Sequence, residues 1–125
     1  MRLLIDTHIF VWMTSQPERL STAAAAAVVD PDNEVFLSAI SVWEISIKRA
    51  LGRLPFPLER LDALLTEMGI EMLDLTAAHG VAAGGLPRHH DDPFDRALVA
   101  QAQTEGMTLV SADQAVARYG VPVIA

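Results

Sequence analysis

The stretch Leu3-Leu4-Ile5-Asp6 decides how the rest of the chain is interpreted, because three apolar residues end directly at an acid. The apolar run is long enough for a buried strand and too short for a helix. A carboxylate that follows a buried strand is costly to bury without a partner. Asp6 has no obvious capping role in the sequence, so we take it as the first candidate site residue.

Outward from this strand, apolar runs alternate with helical patterns along the whole chain. Further strands are predicted at 35–37, 70–75, 107–110 and 121–124. Strands that alternate with helices form parallel sheets with helices on both faces. The sequence therefore predicts one α/β domain over residues 1–125, with a mostly parallel five-stranded sheet.

The helix boundaries are predicted from capping residues, prolines and glycines. Ser41 is predicted to cap a helix that runs to Leu51, and Pro57 to open one amphipathic helix that ends at Gly69. The other predicted helices are a short one that ends before Pro17 and those at 21–29, 76–84, 93–105 and 111–119.

Composition narrows the class of protein. Of the 125 residues, 51% are hydrophobic and 20% are charged, which is enough apolar material for a folded core. No apolar run approaches the roughly 20 residues that cross a bilayer, and the absence of cysteine fits a reducing compartment. We therefore expect a cytoplasmic protein with no membrane segment. The net charge of −7 argues against a broad basic nucleic-acid surface.

Four acids are predicted to meet at one edge of the sheet: Asp6, Glu44, Asp95 and Asp113. Right-handed crossovers place every strand-to-helix junction of a parallel sheet at the same edge. Clustered carboxylates repel one another unless a cation is present, and oxygen ligands without cysteine favour Mg²⁺ or Mn²⁺. Two such ions would activate a water and stabilise the leaving oxygen in phosphodiester cleavage.

A structural alternative exists for three of these acids. The spacing Ser41-x-x-Glu44 matches a capping box, and Asp92-Pro93-Phe94-Asp95 has the same form. Asp113, near the start of a helix, would favour the helix dipole. The set of four is therefore more informative than any single member.

Four motifs occur in order along the chain: LLIDTH at 3–8, SVWE at 41–44 with Lys48 and GRL at 52–54, HDDPFDR at 90–96 with AQA at 100–102, and SAD at 111–113. This pattern resembles PIN-domain ribonucleases and, among them, the VapC-like toxins of type II toxin–antitoxin modules. The resemblance implies a Mg²⁺- or Mn²⁺-dependent endoribonuclease, a hydrolase that cuts RNA and is inhibited by a VapB-like antitoxin. It also implies a homodimer and a toxin–antitoxin hetero-oligomer, and it assigns the metal ligands to the four acids.

Five more residues are candidates for supporting roles. Ser111 resembles the family's hydroxyl position, and Thr7 follows the first acid. Each could bond a water or a phosphate, or could cap a helix. Asp92 could cap the next helix or orient its loop and Arg96. His90 occupies the family's histidine position, where hydrogen bonding within the loop is the alternative.

Basic residues near the acids would attract RNA phosphates. They form a local patch and not a basic protein: Lys48, Arg49, Arg53, Arg88, His89, His90 and Arg96. A solvated helix face is the expected environment of Lys48 and Arg49. His8 could face the site, and His79 carries no functional signal.

The aromatic residues Trp12, Trp43 and Phe94 are predicted to lie in the core, with base stacking by either tryptophan as the alternative. The apolar segment 54–57 and the following helix could form a groove for the antitoxin, or could be a packed loop.

Two further functions remain open at this stage: a non-catalytic PIN scaffold that binds a protein partner, and a PIN ribonuclease that processes RNA without an antitoxin. A receiver domain is excluded because Lys48 is the only lysine, and an Asp-x-Asp phosphatase because the first strand is followed by Asp6-Thr7-His8. The sequence does not specify which RNA is cut.

Overall fold

The computed structural model describes all 125 residues and contains one five-stranded sheet. The strands are β1 (Arg2–Ile5), β2 (Glu34–Ser38), β3 (Ile70–Leu73), β4 (Thr108–Val110) and β5 (Val123–Ile124). Their order is β3-β2-β1-β4-β5, and every neighbouring pair is parallel. The predicted α/β class and the parallel five-stranded sheet are confirmed.

Seven α-helices connect and cover the strands. They are α1 (Thr7–Ser15), α2 (Thr22–Val29), α3 (Ala39–Ala50), α4 (Leu61–Met68), α5 (Ala77–Gly84), α6 (Pro93–Glu105) and α7 (Gln114–Ala117). Two short 3₁₀ turns lie at Pro17–Arg19 and Leu58–Arg60. None of these helices has the length and apolar character that a membrane span requires.

The central strand is buried on both faces, which explains its continuous apolar sequence. Leu3 and Ile5 belong to a core formed with α1, α2 and α4. Leu4 points to the opposite side, into a core formed largely with α6 and α7. Because Ile5 pairs in register with Leu37 and Val110, three strands end level with one another, and the residues that follow them share one edge.

Some predicted elements are shorter or divided in the structure. The third strand ends at Leu73, its last pairing partner on β2, and not at residue 75. The amphipathic stretch after Pro57 is a 3₁₀ turn followed by α4, although Leu64 and Leu65 still face the core. The last predicted helix retains only α7, because Asp113 and not Ser111 caps it.

Two predictions about helix starts were wrong. Ser38, not Ser41, caps α3, and its hydroxyl accepts the amide of Ile40 at 3.1 Å. Asp6 does cap a helix, because its carboxylate accepts the amide of Ile9 at 2.9 Å at the start of α1. The predicted cap at Asp92 is confirmed, with bonds from the amides at 94 and 95.

The aromatic residues are less buried than expected. Trp43 is 60% exposed, so its assignment to the core was wrong. The inward face of α3 is formed by residues 40, 41, 44 and 45, and position 43 lies outside it. Trp43 packs edge-to-face on Phe94 at 5.7 Å, and Phe94 and Trp12 are only partly buried.

Candidate active site

The candidate site lies at the carboxyl ends of β1 and β4, where the strand order changes direction. Open parallel sheets build their sites at this switch point. Asp6 directly follows β1, and Asp113 lies three residues after β4. Glu44 projects from the second turn of α3, and Asp95 from the first turn of α6.

Asp6 is 5% exposed and lies near Glu44. Burial raises the pKa of Asp6 above its ordinary value, and the nearby charge of Glu44 raises it further. Hydrogen bonds from the Ser111 hydroxyl and from the Ile9 amide partly offset this increase, because they stabilise the carboxylate form. Ionised Asp6 is therefore unfavourable in the folded protein, and a bound cation would stabilise it.

Glu44 is buried but is not short of partners. The Thr7 hydroxyl donates to one carboxylate oxygen at 2.6 Å, and the Lys48 ammonium donates to the other at 2.8 Å. Thr7 also lies 3.0 Å from the hydroxyl of Ser41. The capping-box interpretation of Glu44 was therefore wrong, and so was the solvated role expected of Lys48, whose side chain is 35% exposed.

A second group of possible ligands contains Asp95, Asp113 and His90. One ligand atom from each lies within 4.8 Å of the other two. Burial raises the pKa of Asp95 to about 7, with further increases from the charge of Asp92 and from Asp113, and a hydrogen bond from His90 lowers it. The imidazole Nε2 lies 3.3 Å from the Asp95 carboxylate.

The four predicted acids thus form two groups at one edge, Asp6 with Glu44 and Asp95 with Asp113. Ser111 lies between them, because its hydroxyl lowers the pKa of Asp6 and accepts a hydrogen bond from the amide of Asp113 at 3.1 Å. Oxygen donors with mutual repulsion and one added nitrogen donor fit a divalent cation of the Mg²⁺ or Mn²⁺ type. The residues present therefore suit the metal that the resemblance implies.

Beside the acids is an open cavity of about 330 Å³ that Asp6 and Asp113 line. His8 and Trp12 from α1 complete its wall together with Arg19, whose guanidinium stacks 4.5 Å above the indole ring of Trp12. His8 therefore does face the site. The contribution of Arg19 was missed, because its position beside Trp12 depends on the turn at Pro17.

Arg96 is partly buried, and its guanidinium is occupied by hydrogen bonds within the chain. Its guanidinium donates to the carbonyls of Pro87, Ala83 and Leu86 at 2.9 to 3.1 Å, and to the Tyr119 hydroxyl at 3.2 Å. These bonds attach the end of α5 and the following loop to α6. Arg96 therefore supports the loop that carries His90.

Tyr119 is a site-supporting residue that the sequence did not reveal. Its hydroxyl lies 2.7 Å from the Nδ1 atom of His90, although 29 residues separate the two. It is the only tyrosine and is 8% exposed. No local motif marks this position, since only the packing of α7 against α6 brings it to the loop.

His79 has a structural role, consistent with its lack of a functional signal. It is 1% exposed and forms a capping box with Thr76 at the start of α5. Its Nε2 atom lies 2.9 Å from Glu105, and Gln101 contacts its Nδ1 atom at 3.3 Å. These contacts join α5 to α6.

A comparison with known protein families shows to which family the chain belongs. The family model described as PIN domain matches residues 3–122, which is almost the whole chain. The chain belongs to the PIN domain family. This PIN domain is 31% identical over 115 residues to Ribonuclease VapC22 of Mycobacterium tuberculosis (strain ATCC 25618 / H37Rv), a match that covers 90% of this chain and 87% of that protein.

Solved structures share the fold of this PIN domain. VapBC2 from Rickettsia felis, solved bound to a promoter DNA fragment, matches with a TM-score of 0.73 and 16% identity over 99% of this chain and 98% of that one. FitAcB from Neisseria gonorrhoeae matches with a TM-score of 0.70 and 18% identity over 98% and 96% of the respective chains.

Proposed function

We propose that this PIN domain is a metal-dependent endoribonuclease and the toxin of a VapBC-type toxin–antitoxin pair. The observation that carries the proposal is the grouping of the acids at the switch point of the sheet, where one acid of each group, Asp6 and Asp113, lines a shared cavity. Burial and like charge raise the pKa values of Asp6 and Asp95, as at a site that awaits a cation. The identity to a relative named as a ribonuclease supports the same activity.

Asp6, Glu44, Asp95 and Asp113 would hold Mg²⁺ or Mn²⁺. The bound ion would supply Lewis acidity that activates water and stabilises charge during phosphodiester cleavage. The chain positions the ligands: Thr7 and Lys48 hold the two oxygens of Glu44. No separate nucleophilic side chain is required.

The wall of the cavity suits a nucleic-acid substrate. Arg19 and His8 stand opposite the acids and offer positive charge or donors to phosphate oxygens. The exposed rim continues to Arg53, beside the loop that leaves α3. The chain as a whole carries a net charge of −7, so basic residues attract phosphates only locally. The substrate would therefore bind at this cavity and not over a broad surface.

An antitoxin segment would occupy the groove that adjoins this wall and shares His8, Trp12 and Arg19 with it. The groove has a volume of about 500 Å³ and lies between α1 and the segment 54–57 that was expected to border it. Trp12, Phe56 and Leu64 supply apolar surface, and Arg19 and Arg60 stand at its margins. This combination suits an amphipathic segment with acidic residues.

The first experiment is cleavage of a panel of purified RNAs by the wild type and by Asp95→Asn, each with Mg²⁺, with Mn²⁺ and with excess EDTA. We expect the wild type to cut only with metal and the variant to lose at least about 100-fold in rate. Asp91→Asn is the matched control, because Asp91 lies on the loop that leads into α6 and its side chain is 88% exposed. Equal cleavage by wild type and Asp95→Asn would overturn the proposal.

The toxin assignment needs a separate test, because a processing ribonuclease would also cut RNA. Expression of the chain should arrest growth, and co-expression of the antitoxin gene beside it should relieve the arrest. Activity without such a neighbouring gene would favour RNA processing. Growth arrest that persists in Asp95→Asn would favour the non-catalytic scaffold.

A further inference from the structure

The loop histidine at position 90 is the one nitrogen donor among the grouped ligand atoms. It stands with Asp95 and Asp113, and the three donors come from three separate segments: the loop before α6, the first turn of α6 and the turn before α7. Its side chain is 19% exposed, and that of Asp95 is 20% exposed. The imidazole is therefore a partly enclosed group aimed at the carboxylates.

A second residue fixes the orientation of this ring. The Tyr119 hydroxyl lies 2.7 Å from Nδ1 of His90 and 3.4 Å from the carbonyl oxygen of the same residue, and it accepts a hydrogen bond from Arg96 at 3.2 Å. A hydroxyl has one proton to donate and two lone pairs that accept. When Nδ1 carries the ring proton, the hydroxyl accepts from Nδ1 and from Arg96 and donates to the carbonyl oxygen, so all three capacities are used and the ring has a fixed anchor.

The anchor accommodates both neutral forms of the imidazole. Without an ion, Nε2–H donates to Asp95, and Tyr119 donates its proton to Nδ1. With an ion, Nδ1–H donates to the Tyr119 oxygen, and Tyr119 donates instead to the carbonyl of His90. The ring proton moves from one nitrogen to the other through solvent, and the Nε2 lone pair then faces the acids. Histidine ligands of metals commonly donate their other N–H to such a partner.

We propose that His90 is a nitrogen ligand of the metal bound by Asp95 and Asp113, and that Tyr119 is its positioning residue. This inference rests on the proposed metal site and adds a donor to the four carboxylates. Imidazole suits first-row transition ions, whereas Mg²⁺ prefers oxygen alone. The site is therefore selective for Mn²⁺ over Mg²⁺.

The test is pulsed electron paramagnetic resonance of Mn²⁺ bound to the purified full chain. A directly bound imidazole couples its ¹⁴N nucleus to the electron spin, so the wild type should show ¹⁴N modulation. Protein grown with ¹⁵N-histidine should show the ¹⁵N pattern instead, which identifies histidine without any substitution. His90→Gln should bind Mn²⁺ without the ¹⁴N signal.

The chain supplies matched controls, because it has only four histidines. His89 is exposed and adjacent, and its ring contacts Tyr119 without reaching the acids. His89→Gln and His8→Gln should keep the ¹⁴N modulation. Tyr119→Phe should weaken Mn²⁺ affinity by about 10- to 100-fold, as loss of a ligand's outer partner does, with its circular dichroism unchanged.

Affinities measured by calorimetry complete the test. The wild type should bind Mn²⁺ at least about tenfold more tightly than Mg²⁺, and His90→Gln should lose most of that difference. Bound Mn²⁺ without ¹⁴N coupling in the wild type would overturn the histidine ligand and leave the metal-dependent function standing. A ¹⁴N signal that disappears in His8→Gln would also overturn it. Failure to bind either ion would overturn both proposals.

Discussion

At the scale of single residues, the candidate site consists of buried carboxylates that lie close enough to repel one another. Asp95 illustrates this best, because burial comes first among the causes that raise its pKa to about 7, and acids at 92 and 113 add to the effect. Ionisation of Asp95 destabilises only the folded state, because the carboxylate is buried there and is solvated in the unfolded chain. This difference makes the stability of the metal-free protein depend on pH.

We predict that the metal-free protein becomes less stable as pH rises toward neutrality. From the ordinary pKa of 3.8 to the folded value of about 7, the folded state retains a proton on Asp95 that the unfolded state has lost. The free energy of unfolding therefore falls across this interval and levels above it. Urea unfolding with a chelator, at about pH 5.5 and about pH 8, measures the difference.

Asp95→Asn should reduce this pH dependence, because the amide does not ionise. Asp62→Asn, at an exposed acid on α4, should leave it unchanged. Asp6, whose pKa is also raised by burial, contributes in the same direction, so some dependence should remain in the Asp95 variant. An identical pH profile in wild type and Asp95→Asn would contradict the prediction.

At the scale of elements, one arginine joins three pieces of backbone. Arg96 on α6 donates to carbonyls at the end of α5 and in the loop that carries His90. Carbonyls at the end of a helix have no partner within that helix. Arg96 therefore satisfies acceptors that would otherwise depend on water, and it sets the shape of the loop beside the acids.

Arg96→Ala should lower the free energy of unfolding by about 2 to 4 kcal/mol, since hydrogen bonds to charged donors are the stronger ones. Arg96→Lys should recover little, because one ammonium cannot reach the several carbonyls that a planar guanidinium spans. Arg88→Ala, at a side chain 86% exposed, should change stability by less than about 0.5 kcal/mol. Chemical denaturation of the three variants distinguishes these outcomes.

The strand runs and their alternation with helices are local patterns, so the sheet and its functional edge could be predicted. The cap of α3 could not, because Ser38 and Ser41 are both good capping residues and only the end of β2 selects between them. Tyr119, Arg19 and the inward turn of Arg96 depend on tertiary packing, which no short spacing encodes. The sequence also predicted that the four acids meet at one edge and named Thr7 and Ser111 as supporting candidates, whereas the contacts of Thr7 and Lys48 with Glu44 required the structure.

At the scale of the whole molecule, metal binding should stabilise the fold by mass action. At an ion concentration 100-fold above Kd, linkage adds about 2.7 kcal/mol, which corresponds to about 10 °C in Tm for a domain of this size. Thermal melting with Mg²⁺ or Mn²⁺ should show this increase in the wild type and little of it in Asp95→Asn. A shift of equal size in the variant would place the ion elsewhere.

The expected homodimer is a further proposal at this scale, and Trp43 marks a surface for it. Trp43 is 60% exposed, and its indole packs edge-to-face on Phe94. A second copy would cover this apolar surface. Trp43→Ser should shift the protein toward monomer in light scattering, whereas Val81→Ser, at a residue 80% exposed on α5, should not. A dimer that survives Trp43→Ser would assign the interface to another surface.

The central position of β1 in the sheet has a consequence for synthesis. Strand β1 pairs on one side with β2 and on the other side with β4. The residues of β4 lie more than 100 positions later in the chain than their partners on β1. Contacts so distant along the chain slow folding, because the intervening chain must be ordered first. Asp6 and Asp113 cannot meet until β4 and the turn after it have left the ribosome. The nascent chain therefore cannot carry out the proposed cleavage before β4 and the turn that carries Asp113 have been made and have folded against β1.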